Sequence, residues 1–142
     1  MKHCLLAIVI LAGCGGGRSL DGEWQLNGMS SGEQPPGAKT TMTFSGRSVT
    51  VAMRIDDPRV GAFALDMTGT YTLTGENFTM TMTDGKLDTS KAKPEFKSAI
   101  EASVKPEDLK NRLNQDVKYL LKWVSDKEAH LVGAKRSYIL KR

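Results

Sequence analysis

The chain has 142 residues, a net charge of +4, 6% aromatic residues and two cysteines. That length supports one domain with a real core. Charge is uneven: residues 14–90 carry 6 Lys/Arg against 9 Asp/Glu, and residues 91–142 carry 13 against 7. The basic second half reads as a solvated face of mixed sign, although cations facing an anionic lipid surface gain about 1 kcal/mol each.

Lys2 and His3 precede a run from Cys4 to Gly13 in which every residue is apolar or small. This fits the n-region and h-region of a secretory signal. The run is too short for a membrane-spanning helix, which needs about 20 residues. Leu11-Ala12-Gly13-Cys14 resembles the bacterial lipobox, in which Leu and two small residues precede the cysteine that receives diacylglycerol. The resemblance implies removal of residues 1–13 as a lipoprotein signal peptide and acylation of Cys14. Residues 14–19, with Gly15-Gly16-Gly17, then form a flexible tether, and residues 20–142 form the domain. Cys4 leaves with the signal and Cys14 carries lipid, so no thiol remains for a disulfide or a metal. The resemblance implies a cell-envelope protein held to a membrane, at the outer membrane facing the periplasm if the host is Gram-negative. There nucleic acid is not an expected partner, despite a pI near 9.1.

Ser30 to Gly37 reads as a loop. Beyond it, Met42 and Phe44, then Val49, Val51, Met53 and Ile55, step by two as half-buried strands do. Gly46-Arg47 between them is the Gly-X composition of a type II′ hairpin. Pairing across it sets Phe44 opposite Val49, Met42 opposite Val51 and Thr43 opposite Thr50. A second hairpin turns at Gly75-Glu76 and pairs Leu73 with Phe78, Tyr71 with Met80, Thr72 with Thr79 and Thr70 with Thr81. Turn chemistry and face alternation give the same register. Phe63, Leu65 and Met67 continue the inward line toward Gly69, a candidate bend or bulge.

Residues 89–116 change character. Pro94 suits a first helical turn, followed by Phe96, Ile100 and Val104 at a spacing of four. Pro106 starts a second short helix carrying Leu109 and Leu113. Strand character then resumes, with a turn at Ser125-Asp126-Lys127 and a closing strand at Tyr138-Ile139-Leu140. The register of this last hairpin does not follow from its pattern. The expectation is mainly β: a small antiparallel up-and-down barrel of about seven to nine strands, with one or two short helices around 90–116.

Gly22 and Trp24, opening "LDGEWQL", followed by successive hairpins and the end strand "SYILKR", resemble bacterial lipocalin-like lipoproteins of the calycin type. The resemblance implies that the tryptophan packs across a barrel floor and that the strands enclose a filled core or a cavity with an open end. META-type envelope domains share the Trp opening and Thr43-Phe44, but their Gly-Cys-Asn element is missing.

No catalytic constellation stands out, and a non-enzymatic protein without cofactor is expected. His130 lies in a predicted strand with no nucleophile motif nearby, and Asp56-Asp57 before Pro58 reads as turn chemistry. Met42, Met53, Met67, Met80 and Met82 fall on faces assigned inward, where Met fills irregular gaps; thioethers also suit Cu(I), a minor alternative. No metal site is assigned. The outer threonines suit a half-exposed sheet. Trp24, Phe44, Val51, Met53, Phe63, Met67, Tyr71, Met80 and Met82 are the candidate lining for a small hydrophobic ligand. A structural or accessory envelope protein with a filled core is the alternative.

Overall fold

A computed structural model of the chain describes residues 17–28 and 37–142. The predicted signal, Cys14 and most of the 30–37 loop lie outside the described residues. In chain order the elements are β1 (Gly22–Gly28), β2 (Ala38–Ser45), β3 (Ser48–Asp57), β4 (Gly61–Thr74) and β5 (Asn77–Asp88). These are followed by α1 (Pro94–Ser103), α2 (Pro106–Arg112), β6 (Asp116–Ser125), β7 (Glu128–Val132) and β8 (Ser137–Lys141). Each strand pairs antiparallel with the next, and β8 returns to β1, closing an eight-stranded up-and-down barrel. Closure removes the two free edge strands that an open sheet of these strands would have.

The two hairpins derived from turn chemistry have the registers expected. Phe44 faces Val49 and Met42 faces Val51; Leu73 faces Phe78 and Tyr71 faces Met80. Gly46 and Gly75 take φ of 60° and 62°, and the residues after them do not have positive φ, as a type II′ turn requires. Between Thr68 and Gly69 the β4–β5 register shifts. Here the strands close so tightly that a Cβ on Gly69 would lie 2.1 Å from the Thr81 carbonyl oxygen. Backbone, rather than a turn, makes glycine necessary at this position.

The last hairpin, undetermined by pattern, pairs Leu131 with Tyr138 and Ala129 with Leu140.

The barrel's two ends differ. One is formed by the β2–β3, β4–β5 and β6–β7 turns together with the chain entering β1 and leaving β8. Leu20, 3% exposed, plugs this end from inside. At the other end lie the β3–β4 and β7–β8 turns and both helices. β6 pairs only with Asn77–Thr81 of β5, so the rest of β5 has no second strand partner. The helical excursion packs there instead. The Asn114 amide donates to the Met82 carbonyl at 2.7 Å, and Leu109 lies against Gly85, the inward-facing partner of Met67. The start of the excursion is tied to the β3–β4 turn by a Gly61–Ala92 bridge and a 2.8 Å bond from the Lys93 amide to the Val60 carbonyl.

Proline opens both helices, and Glu95, Glu107 and Asp108 place negative charge in their first turns, where the helix dipole favours it. Ile100 is buried as its spacing predicts, but Phe96, expected on the same packing stripe, is 37% exposed. The helix is ten residues long, and Ile100 is its one buried residue.

Candidate functional site: the barrel floor and its open end

The floor is built around Trp24, which is fully buried. Its indole N–H donates to the Leu20 carbonyl at 2.6 Å, so the apolar body fills the core while its one polar group is satisfied. Trp123 packs at 6.0 Å between ring centres. The Arg142 guanidinium lies over Trp24 at 4.2 Å and donates to the carbonyls of Asp21 at 2.9 Å and Ser19 at 3.3 Å. One cation thereby fastens the two termini of the barrel across its closed end. Sequence reading found Trp24 but not Leu20 or Arg142. Arg142 is distant in the chain from Trp24, Ser19 and Asp21, and only a signal for the closing β8–β1 pair could have brought them together. Leu20, four residues before Trp24, sits ahead of the strand in no alternating pattern.

Above the floor, Phe44, Tyr71 and Phe78 cluster with ring centres 5.0–6.1 Å apart. Tyr119 and Tyr138 extend the cluster across β6 and β8. Burial, with Asp21 nearby, raises the Tyr71 phenol pKa. Burial, then Tyr138, does the same for Tyr119. Both phenols therefore stay neutral and serve as packing groups. With Met42, Val49, Leu121, Leu131 and Leu140, this aromatic cluster fills the closed half of the barrel.

The nine candidate lining residues divide by burial. Trp24, Phe44 and Met82 are buried, Met82 at 7% exposure, and belong to the packed interior. Val51, Met53, Phe63, Met67, Tyr71 and Met80 are half-buried. All are inward by register, and Met53 and Phe63 lie outside the packed cluster. Val51, Met53, Phe63 and Met67 lie toward the end opposite the floor and stay partly exposed, whereas Tyr71 and Met80 pair with each other between Phe78 and Met82 in the closed half. Val117, opposite Met80 on β6, is likewise exposed.

β1 and β2 part beyond Gln25 and Thr41. The space between them is about 300 Å³, lined by Gln25, Leu26, Asn27, Ala38, Lys39 and Thr40. A second open space of about 380 Å³ lies by Tyr119, Leu120, Val132 and Gly133.

The polar candidates are placed elsewhere. Asp57 accepts from the Arg59 backbone N–H at 2.7 Å and from its guanidinium at 3.0 and 3.2 Å. The Arg59 side chain is the main cause that holds the Asp57 carboxyl below its ordinary pKa. This is turn chemistry. Asp56, on the outer face, gives its amide to the Gly37 carbonyl. His130 points outward from β7 and meets the Glu128 carboxylate at 2.9 Å. Among the described residues, no group of three or more His, Cys, Asp or Glu could hold a metal ion.

Glu128 carries a pH prediction. His130 chiefly, with Lys141, lowers its pKa in the folded chain. A carboxylate with a depressed folded pKa adds stability above its unfolded pKa, and that stability is lost as pH falls through the folded value. Glu128→Gln should therefore lower stability at neutral pH and lose less on acidification than the unsubstituted chain, the remaining loss coming from other carboxylates with lowered pKa such as Asp57 and Asp88. Urea unfolding at pH values on both sides of that range measures the difference. An unchanged pH slope in the variant would remove Glu128 as its source.

The architecture is compatible with a lipocalin-like barrel. No family model and no curated protein matches the chain.

Proposed function

We propose that this protein is a lipid-anchored, non-enzymatic envelope lipoprotein of lipocalin-like type that takes a small hydrophobic ligand at its open end. The observation that supports the ligand reading is the contrast within one barrel. The closed half is filled to its floor, while Val51, Met53, Phe63 and Met67, toward the other end, keep part of an apolar inner surface uncovered. Methionine adapts its shape to a ligand at little cost. The anchoring reading rests on Leu11-Ala12-Gly13-Cys14.

The filled floor limits the depth of insertion. Each methylene buried contributes about 0.8 kcal/mol, so a chain must bury about seven to reach a Kd of roughly 0.1 mM. One acyl chain entering methyl end first meets that requirement, whereas a bulky polycyclic ligand would have to displace the aromatic cluster.

The test is titration of a fluorescent fatty acid into the domain beginning at Gly17. Saturable binding is expected, blocked by Met80→Trp, which fills the inner surface, and by Met53→Lys, which places a charge on it. Urea midpoints near that of the unsubstituted domain show that both variants still fold. No saturable binding would leave the alternative favoured by the packed lower half, an accessory protein that acts through its outer surface.

A further inference from the structure

We infer that the barrel stands on its closed end against the lipid surface, with its open end directed away from the anchoring membrane. This rests on the reading of Cys14 as the acylated residue.

The point at which the chain leaves the barrel is fixed by several contacts. Arg18 pairs with Asp126 in the β6–β7 turn at 3.2 Å and lies over Trp123 at 6.0 Å. Arg142 clamps the carbonyls of Ser19 and Asp21, and Leu20 is sunk into the floor. The chain therefore emerges from the closed end and not from the wall or the mouth. Three peptide links separate Gly17 from Cys14, a reach of at most about 11 Å. β4 has 14 residues. At roughly 3.3 Å per residue and a tilt near 40°, it spans about 35 Å along the barrel axis. The tether cannot bring the open end to the bilayer while the closed end stands off from it.

A second observation concerns the closed end itself. Val124, beside the β6–β7 turn, is 56% exposed, more than the other exposed large apolar side chains among the described residues: Phe96, Val117 and Leu120. In water this exposure is unfavourable; at the headgroup boundary its apolar surface is covered. Arg47 and Lys127 stand at two of the three turns there and Glu76 at the third. Charge of mixed sign neither drives nor opposes the contact, which the tether and Val124 set. One consequence is that an apolar ligand enters the mouth from the aqueous side, delivered by a carrier or another surface. It is not drawn sideways out of the anchoring bilayer.

The full-length chain offers a direct test, because Cys4 leaves with the signal and Cys14 is acylated. An introduced cysteine is then the only thiol. Glu76→Cys and Lys127→Cys mark the closed end, and Lys135→Cys in the β7–β8 turn marks the open end. Each lipoprotein is labelled with a fluorescent maleimide and reconstituted into phosphatidylethanolamine/phosphatidylglycerol vesicles that contain headgroup spin-labelled lipid. The labels at 76 and 127 should lose most of their emission, and the label at 135 should keep it. Equal losses at the two ends would show a barrel lying on its side, and a greater loss at 135 an inverted one; either overturns the orientation. Sedimentation of the same samples separates this from the anchoring reading. Protein that fails to pellet with vesicles removes the anchor, and the orientation with it.

Discussion

Trp24→Ala lowers the free energy of unfolding by about 3–5 kcal/mol, the usual cost of removing a buried aromatic. That is a large part of the 5–15 kcal/mol available to an ordinary domain. Truncation leaves a void beneath Trp123, orphans the Leu20 carbonyl and removes the ring on which Arg142 rests. Loss of the Arg142 contact alone accounts for about 1 kcal/mol of this. Trp24→Phe restores most of the volume but not the indole N–H. It should fall between, with a loss of about 1–3 kcal/mol for the unpaired carbonyl. Urea unfolding followed by circular dichroism reads both. A change under about 0.5 kcal/mol for the alanine variant, typical of surface sites, would mean that the floor is not built around Trp24.

Gly69→Ala is the second large effect, and its cause is different. No positive φ is involved at Gly69, so an alanine there is not barred by backbone conformation. The obstacle is contact: a Cβ would stand 2.1 Å from the Thr81 oxygen and 2.8 Å from the Met82 Cα. Those atoms are backbone and cannot rotate aside, so β4 and β5 must separate at the bulge. Overpacking of this kind costs about 1–3 kcal/mol, and each ladder bond broken adds about 1 kcal/mol. A loss of about 3 kcal/mol is expected. Thr70→Ala on the exposed outer face should stay near 0.5 kcal/mol. Equal urea midpoints for the two variants would show that β4 and β5 are not pressed together at this point.

The legible parts of the fold were those where two independent signals met. At Ser45–Ser48 and Thr74–Asn77, turn glycines and alternating faces agreed, and the pairings followed to the residue. Gly69 could be suspected because it interrupts an alternating inward line. The β7–β8 register was not legible, because Leu131-Val132 and Tyr138-Ile139-Leu140 are apolar on both faces. With no polar face to oppose, a one-residue slip leaves the pattern unchanged. Phe96 misled for a related reason: helical spacing defines a stripe but not how much of it meets a partner.

For the candidate site, alternation identified which side chains point inward and said nothing of depth. Trp24 and Phe44 share the inner face with Met53 and Phe63. Only the packing of the floor against the aromatic cluster separates the buried pair from the half-buried one. The Arg142–Trp24–Leu20 arrangement joins residues up to 122 positions apart, a separation that no local pattern spans.

Native mass spectrometry of the full-length protein, gently extracted from membranes, tests the central proposal most directly. The account predicts a chain beginning at Cys14 that carries covalent acyl groups, with an additional non-covalent apolar molecule that is missing from the Met80→Trp variant. A chain that retains residues 1–13, with no acyl mass and no bound molecule, would contradict both the anchor and the ligand.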